Sequence, residues 1–566
     1  MPRGRALALL IIVVLGVTAG SLMLSDYLTF LATSAVIVGI AAMSVGLLAG
    51  QAGLASLCQM SFCGVGAWCA CWLNLHLPQI PFLSVLILPP CAAGLSGALI
   101  GLPTLRLRGI NLAAVTLAFA VACDALFIRI GFPGNETNTG FERPAWLADD
   151  HAVLVLGILA FAVVGGGVEL LRKTKLGAAW TTIAHSERAA AALGVSVSSA
   201  KIVAFAIGAA IAGLAGALMA VQLGTLTGRN FEALTSLAVF SLSIFTAAHF
   251  LEGAAIAGLL TVMVPEVLRS LGLPLDLAEF LFGIGAVQAL YRGVGIGGNI
   301  RAKLVNLTSD QRPIETRHID VSHPVVARLP QPGSSLTITD LSVTYGQVKA
   351  VDHVSFEIPQ RGVVALIGPN GAGKSTIIDA VSGFVRDYEG SVRMESTSLE
   401  PFAPDARARL GLRRTFQQSR ATPHLTALEY LRLSAGRPVT LEESEELLCF
   451  FQCCSSHDRI GSLEIGLRRL IEVAGAVVAR PRVLLLDEPA AGLAHQQSRI
   501  LAERIVEIPK RFGCSILLVE HDMSLIQAVC TKVVVIDFGK VIASGPPQQA
   551  LKSPEVIAAY LGKEVA

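Results

Sequence analysis

The chain has 566 residues, 53% of them hydrophobic, a formal net charge of +2 and 11 cysteines without a C-x-x-C pair. This composition supports neither a zinc or redox site nor a nucleic-acid partner, and the length predicts more than one domain. Residues 1–300 hold only 14 Lys and Arg and 13 Asp and Glu, out of 44 and 42 in the whole chain. A charge-poor half followed by an ordinary half is typical of a membrane domain joined to a soluble domain.

Residues 1–300 are predicted to form a polytopic α-helical membrane domain. Ten apolar runs approach the roughly 20 residues that cross a bilayer, although eight spans would also fit the pattern. The ten runs are residues 6–24, 28–48, 54–74, 82–101, 110–130, 151–171, 201–223, 236–250, 252–271 and 276–292. The first run has the features of a signal peptide as well, but further apolar runs follow it at once and favour a membrane anchor.

Basic residues between the runs predict how the domain is oriented. The basic positions that fall on one side of the membrane are Arg3, Arg5, Arg106, Arg108, the run 172–175, Arg292, Arg301 and Lys303. The acidic segment 131–150 falls on the other side. Because basic loops stay in the cytoplasm, we predict a multi-pass membrane protein whose second half is cytoplasmic.

The longest loop on the basic side, residues 172–200, carries an alanine-rich amphipathic stretch at 177–194. Ala and Leu favour a helix, and Gly194 is placed to end it. We predict that this helix docks on a soluble domain. The alternative is a helix that lies at the membrane surface without a partner.

Residues 301–334 are predicted to be a cytoplasmic linker, because prolines interrupt them and they have neither membrane hydropathy nor a clear strand pattern. A second domain, residues 335–566, opens with a predicted strand at 336–345. Tyr345 at the end of this strand is placed to stack on adenine, although an ordinary strand aromatic gives the same pattern.

Residues 368–376 carry the pattern G-x-x-x-x-G-K-[ST] between an apolar strand and the start of a helix. Glycines let backbone N–H groups approach phosphate oxygens, and the helix N-terminus adds partial positive charge. Lys374 would reach the β- and γ-phosphates, and Ser375 would offer its hydroxyl to Mg²⁺. The predicted nucleotide-binding residues are Tyr345, Gly368, Asn370, Gly371, Gly373, Lys374, Ser375 and Thr376. The sequence therefore predicts an ATP or GTP site in an α/β P-loop domain.

Three further motifs add predicted chemistry. Asp487 and Glu488 end a second apolar strand, where Asp487 suits a contact with Mg²⁺ and Glu488 is placed to polarise an attacking water. His521 follows a third apolar strand and is predicted to contact the γ-phosphate, with a purely structural histidine as the alternative. Gln417 is predicted to sense Mg²⁺ and the water and to couple the site to another domain. The predicted catalytic residues are Glu488, His521 and Gln417, and the predicted Mg²⁺ contacts are Ser375, Gln417 and Asp487.

These motifs carry a resemblance to a known family. Residues from about 335 to 566 resemble the ATP-binding subunit of an ATP-binding-cassette (ABC) transporter, and the strings 486–493 and 520–523 resemble the LivG-type subunit of branched-chain amino-acid importers. The first half resembles the matching LivM-type permease in residues 50–57, 101–109 and 191–195. Together the two resemblances cover nearly the whole chain, which is therefore similar to a natural fusion of two subunits that are usually separate.

The resemblance implies an ATP hydrolase coupled to import of branched-chain or related hydrophobic amino acids, with ATP and Mg²⁺ as cofactors. Alternatives on the same scaffold are importers of urea, amides or small carboxylates; an exporter and a non-transporting regulatory cassette are further classes. The implied partners are a second permease subunit, a second ATP-binding subunit or a second copy of this chain, and a periplasmic or extracellular solute-binding protein.

Two positions depart from the family pattern. The signature that faces the partner's ATP aligns with Leu463, Glu464 and Gly466, and Glu464 stands where Ser is usual. Ala494 stands where the loop after the Glu488 strand often has Asp. Because a carboxylate at position 464 would repel the γ-phosphate, we predict two unequal nucleotide sites, unless that side chain turns away.

Overall fold

The computed structural model describes residues 20, 24–104, 107, 109–135, 139–293, 295–301 and 335–561. Several predictions lie outside these residues: most of the run 6–24, Arg3, Arg5, Arg106, Arg108, Lys303 and the linker beyond Arg301. The described residues divide into two compact units. The first takes those of Met1–Trp180 and Ser198–Glu315, and the second takes those of Thr181–Val197 and Thr316–Ala566.

The first unit is helical, as predicted. Among the described residues, the helices of the first half that we number are α1 (Asp26–Val45), α2 (Gln59–His76), α3 (Phe82–Thr104), α4 (Ile110–Ile130), α5 (Asp150–Arg172), α6 (Lys175–His185), α7 (Glu187–Ala192), α8 (Val197–Leu223), α9 (Ala233–Thr246), α10 (Leu251–Ser270) and α11 (Leu277–Arg292). Within the described residues, six stretches are long and apolar enough to cross a membrane: Asp26–Gln51, Phe82–Pro103, Ile110–Ile130, Asp150–Arg172, Val197–Leu223 and Leu251–Ser270. The runs predicted near 54–74, 236–250 and 276–292 are also helices, α2, α9 and α11, but they are shorter or less apolar.

Small residues let these helices approach closely. A Cβ atom at Gly216 of α8 would overlap the carbonyl of Cys63 on α2, and one at Gly258 of α10 would overlap the carbonyl of Ala35 on α1. Because lipid tails are as apolar as the side chains, the hydrophobic effect does not drive helices together in a membrane. Close packing of backbones is therefore a main source of stability for the helical domain.

Helix α1 does not run directly into α2. It continues as a π-helical turn, Gly46–Gln51, and residues 52–58 are not helical. Polar side chains line this break: Gln59 donates from Nε2 to Ser56 Oγ at 3.1 Å, and the backbone N–H of Leu57 donates to Thr116 Oγ1 at 3.1 Å. Non-helical backbone inside a membrane is tolerated where other parts of the protein satisfy its polar groups. These hydrogen bonds do so for part of the break.

The second unit is α/β and contains two sheets. Its strands are β1 (Leu336–Tyr345), β2 (Val348–Ile358), β3 (Val363–Ile367), β4 (Glu389–Met394), β5 (Thr397–Ser398), β6 (Leu412–Arg414), β7 (Val483–Asp487), β8 (Ser515–Val519), β9 (Lys532–Asp537) and β10 (Lys540–Gly545). The helices are α12 (Lys374–Val381), α13 (Pro404–Arg409), α14 (Ala427–Ala435), α15 (Leu441–Phe451), α16 (Ile465–Val478), α17 (His495–Phe512), α18 (Met523–Val529), α19 (Pro547–Ala550) and α20 (Pro554–Leu561).

The larger sheet explains how distant motifs meet. Its strand order is β10-β9-β3-β8-β7-β6, and the five strands from β9 to β6 are parallel. Strands β3, β7 and β8 are buried along their whole length, because each is an uninterrupted run of mostly apolar residues. Since the carboxyl ends of neighbouring parallel strands lie at one edge of a sheet, the segments that follow β3, β8, β7 and β6 come together there.

Candidate nucleotide-binding site

The glycine-rich loop 368–376 connects β3 to α12. Gly373 has φ +103°, and a Cβ atom there would lie 2.5 Å from the carbonyl oxygen of Ala350, so glycine is required at this position. The ammonium of Lys374 folds back over the loop and donates to the carbonyl oxygens of Gly368 at 2.7 Å and Pro369 at 2.9 Å. The lysine that is predicted to bind phosphate is therefore held inside the loop.

Burial lowers the pKa of Lys374, and the carboxylates of Glu488 and Asp487 oppose that shift. The ammonium thus shares its surroundings with two acidic groups at the end of β7, which β8 separates from β3 in the sheet. A nucleotide phosphate would add negative charge beside the same ammonium and stabilise its protonated form.

The three predicted catalytic residues meet at this edge of the sheet. His521 Nε2 lies 2.8 Å from Glu488 Oε1, and Gln417 donates from Nε2 to Glu488 Oε2 at 2.8 Å. Glu488 itself has φ +46°, an uncommon conformation for a non-glycine residue and one that recurs at functional sites. The arrangement holds one carboxylate between an imidazole and an amide.

Asp487 is buried at the last position of β7. Its Oδ2 atom lies 3.2 Å from Nη2 of Arg414, the last residue of the adjacent strand β6. Burial raises the pKa of Asp487, and the positive charge of Arg414 opposes that shift. Arg414 therefore stabilises the charged form that a metal ligand requires.

The predicted Mg²⁺ contacts fit the ion by their chemistry. Ser375, Gln417 and Asp487 contribute a hydroxyl, an amide and a carboxylate, and Mg²⁺ prefers oxygen ligands. Gln417 uses its amide nitrogen toward Glu488, so its amide oxygen is the atom that suits a cation. Because Mg²⁺ takes only one or two protein ligands besides phosphates and water in such sites, this small set is sufficient.

Tyr345 lies at the end of β1 and is 52% exposed. It pairs with Val348 of β2, the strand whose Ala350 contacts the glycine-rich loop at Gly373. An exposed ring on the hairpin next to this loop agrees with stacking on a base, which stays a prediction.

The predicted signature residues lie at the start of α16. Glu464 is the exposed N-cap residue, and its side chain makes no capping hydrogen bond. Gly466 is buried, and a Cβ atom there would overlap Oε1 of Gln497. The same Gln497 oxygen accepts a hydrogen bond from the backbone N–H of Ala494 at 3.2 Å, so Gln497 lies against both the signature glycine and one of the two positions that depart from the family pattern.

Residues 181–197, which we call the docking segment, pack against this unit. Thr422 donates to Thr182 Oγ1 at 3.0 Å, and Arg420 donates to Ser186 Oγ at 3.2 Å. Further along, Ala189 and Ala192 pack on Phe416, and guanidinium groups donate to two backbone carbonyls: Arg413 to Ala192 at 3.3 Å and Arg409 to Gly194 at 2.9 Å. These contacts confirm that the stretch docks on the soluble domain.

The docking segment differs from the prediction in one respect. It is not a single helix over 177–194, because α6 ends at His185 and α7 begins at Glu187. Ser186 between them has an extended backbone, and its side chain accepts a hydrogen bond from the N–H of Ala189 at 3.2 Å. A serine in this role starts a new helix, which explains the break.

Sequence reasoning missed several residues around this site. Arg414, Asp379, Gln497 and Glu472 belong to no motif considered above, and Arg188 lies in the predicted docking stretch without a role of its own there. Arg414 lies three residues before Gln417, and Asp379 lies in the helix after the glycine-rich loop, but nothing in the pattern indicates that they pair with each other.

Comparison with family models identifies both halves. Residues 27–289 match a model described as the permease component of a branched-chain amino acid transport system. Residues 351–491 match the ABC transporter model, and residues 540–566 match a model described as a branched-chain amino acid ATP-binding cassette transporter.

Curated relatives agree with these matches. The high-affinity branched-chain amino acid transport ATP-binding protein LivG of Salmonella typhimurium is 33% identical over 249 residues, which are 40% of this chain and 98% of LivG. BraF of Pseudomonas aeruginosa, with the same description, is 31% identical over 40% of this chain and 98% of its own length. The lipopolysaccharide export system ATP-binding protein LptB of Haemophilus influenzae is 31% identical over 41% of this chain and 98% of its own length. A crystal structure of an ABC-transporter ATP-binding cassette in its ADP conformation is 27% identical, with a TM-score of 0.37, over 41% of this chain and 99% of that one.

Proposed function

The chain belongs to the branched-chain amino-acid family of ABC transporters, and on that premise we propose that it is a fused permease and ATPase subunit that imports branched-chain or related hydrophobic amino acids. The observation that carries this proposal is the order of matches on one chain, permease first and cassette second. The cassette by itself does not decide the direction of transport, because LptB, which belongs to an export system, is about as similar to this chain as LivG is. The permease match favours import, and no comparison favours the urea, amide or carboxylate alternative.

The chain's own residues would carry one ATP cycle. Lys374 and the backbone N–H groups of its loop would bind the phosphates. Ser375, Gln417 and Asp487 would hold Mg²⁺, which neutralises charge on the phosphate oxygens when bound. Glu488 would accept the proton of the attacking water, and His521 would hold Glu488 in place and contact the γ-phosphate.

A single chain supplies half of a transporter under this proposal. The signature residues Leu463, Glu464 and Gly466 would complete a site on another cassette, so a second ATP-binding subunit is needed. We therefore propose a complex with a second permease, a second ATPase (or a second copy of this chain) and a solute-binding protein outside the cell. The complex would lie in the bacterial inner membrane with the ATPase in the cytoplasm.

The test is uptake by proteoliposomes that contain the complex purified through a tag on this chain, loaded with ATP and Mg²⁺. We expect ATP-dependent uptake of labelled leucine, isoleucine or valine that increases when the solute-binding protein is added. The Lys374→Ala complex is the control and should show none. Uptake of urea or acetamide without leucine, or ATP-dependent efflux, would contradict the proposal.

A further inference from the structure

Four charged side chains of alternating sign connect the docking segment to the end of β7. Arg188 donates from Nη2 to Asp379 Oδ2 at 2.9 Å. The other oxygen of Asp379 accepts a short hydrogen bond from Nη1 of Arg414, and Nη2 of Arg414 lies 3.2 Å from Asp487 Oδ2. We call Arg188, Asp379, Arg414 and Asp487 the charge series. Its last member is a carboxylate proposed above to hold Mg²⁺.

The charge series is shielded from water over most of its length. The side chains of Arg414 and Asp487 are 5% and 7% exposed, and those of Asp379 and Arg188 are 18% and 38% exposed. The ring of Phe384 lies near both guanidinium groups, 4.8 Å from that of Arg188 and 5.7 Å from that of Arg414. Because attraction between ions is strongest away from water, each inner member depends on its neighbours.

Each inner member of the series is also shared. Asp379 divides its two oxygens between Arg188 and Arg414, while Arg414 divides its guanidinium between Asp379 and Asp487. If Arg188 moved away, Asp379 would keep only Arg414 as a partner within the series and would attract it more strongly. The guanidinium would then hold Asp487 less firmly. The position of Arg188 therefore affects the carboxylate at the far end.

We infer that Arg188, Asp379 and Arg414 are positioning residues through which the docking segment controls the placement of Asp487. The inference rests on the proposed function, since it concerns a chain that hydrolyses ATP. It gives the docking segment a second route into the site. One route runs through the contact with Phe416, which adjoins Gln417. The charge series reaches Asp487 through Arg414, whose guanidinium also lies 4.8 Å from the centre of the Phe416 ring.

If the charge series only attached the docking segment to the cassette, loss of any contact that holds this segment would have the same effect on the site. The chain offers a matched control for this alternative. Arg409 fastens the same segment by donating to the Gly194 carbonyl at 2.9 Å, but it pairs with Asp405 rather than with a member of the series. Arg188→Gln and Arg409→Gln each remove one guanidinium that holds the segment. Only the first removes a member of the charge series.

The test measures metal binding rather than turnover. The complex is purified through a tag on this chain, placed in lipid nanodiscs and carries Glu488→Gln to stop hydrolysis. Mn²⁺ replaces Mg²⁺ because it accepts the same oxygen ligands, and electron paramagnetic resonance measures its affinity with saturating ATP. We expect Arg188→Gln and Asp379→Asn to weaken Mn²⁺ binding by about fivefold, a typical effect of coupled neighbours.

The comparison variants make the outcome decisive. Arg409→Gln should change the Mn²⁺ affinity by less than about twofold, because Arg409 is not a member of the charge series. Arg188→Lys should retain most of it, because the ammonium keeps a charge beside Asp379. The double variant Arg188→Gln/Asp379→Asn should bind no more weakly than Asp379→Asn, since both changes cut the same series.

Three results would overturn the inference: unchanged Mn²⁺ affinity in Arg188→Gln, equal losses in Arg188→Gln and Arg409→Gln, or losses that multiply in the double variant. Failure of the proposed function gives a different result. In that case the complex with all native residues, including Glu488, would hydrolyse no ATP.

Discussion

The Nε2 atom of His521 lies 2.8 Å from Oε1 of Glu488, while Gln417 donates to Oε2 of the same carboxylate at 2.8 Å. Both oxygens of Glu488 are therefore held by groups that follow two other strands of the sheet, β8 and β6. A carboxylate fixed on both sides points in a direction set by the fold, which is what an oriented general base requires.

The first prediction concerns this carboxylate. Glu488→Gln should retain ATP binding, because the amide keeps the size of the side chain, and should lower turnover on the order of 10²-fold or more, because an amide does not accept the proton of the water. The measurement is steady-state ATPase activity of the purified complex beside equilibrium binding of a fluorescent ATP analogue. Near-normal turnover would remove Glu488 from this role.

The second prediction concerns the backbone of the glycine-rich loop. Gly373→Ala should weaken ATP binding by about tenfold or more, because the new Cβ would meet the Ala350 carbonyl 2.5 Å away, in addition to the strain of φ +103°. Gly371→Ala is the matched control: its φ is +85°, but no atom lies within 4 Å of the new Cβ. Its loss should be clearly smaller in the same binding assay. Equal losses would mean that backbone strain alone, and not the contact with Ala350, explains the requirement for glycine.

Much of the nucleotide site was predictable because each motif follows its own buried strand. The strands before Gly368, Glu488 and His521 are mostly apolar, and parallel strands place such ends at one edge of the sheet. The charge series was not predictable in this way. Arg188 and Asp379 are 191 residues apart, and a pairing over such a distance leaves no local pattern.

The membrane half shows a different limit. Hydropathy located the helices, but it placed one start at residue 54, whereas α2 begins at Gln59. Residues 52–58 are small and mostly apolar, so hydropathy does not separate them from the helix that follows. In the structure Gly53 has φ +66°, outside the helical region, and the N–H of Leu57 donates to Thr116 rather than within a helix. Ser186 is the opposite case, because a serine followed by Glu187 and an alanine run is a recognisable N-cap signal, and it predicts the break between α6 and α7.

The third prediction concerns Glu472, which is buried in α16 beneath the docking segment's contacts. Its carboxylate accepts a short hydrogen bond from the backbone N–H of Arg420. The positive charges that act on this carboxylate are those of Arg469, 4.0 Å away, and of Arg420, and the hydroxyl of Tyr430 lies nearby. Burial raises the pKa of Glu472 from the ordinary 4.5 to about 7. Between pH 4.5 and about 7, the folded state therefore holds a proton on Glu472 that the unfolded state has released.

Because the folded state binds more protons between pH 4.5 and about 7, the free energy of unfolding should fall as pH rises through that window and then level off. The amide that Glu472→Gln introduces cannot ionise, so this variant should not show the fall in the free energy of unfolding. We expect its melting temperature to exceed that of the native protein by about 3 °C at pH 8 and to match it near pH 4.5. Thermal unfolding of both proteins in detergent at several pH values provides the measurement. A constant difference across the range would show that Glu472 does not titrate there.

The last prediction concerns the altered signature. Glu464 is exposed at the N-terminus of α16, where the family pattern places a serine. Two like charges about 4 Å apart repel by about 1 kcal/mol in water and by more in a closed, drier interface. Closure on the partner's ATP should therefore be slowed, and Glu464→Ser should raise turnover at that site by about fivefold.

The measurement isolates this site by adding Glu488→Gln to this chain, so that only the partner's catalytic glutamate hydrolyses ATP. If the partner is a second copy of the chain, Glu488 is left intact and the substitution acts on both sites. Glu464→Gln is the matched control, because it removes the charge and keeps the size of the side chain. A rise with both variants assigns the effect to charge, and a rise with Ser alone assigns it to the hydroxyl. Unchanged turnover and ATP affinity in both variants would mean that Glu464 turns away from the phosphate and that the two sites are equal in this respect.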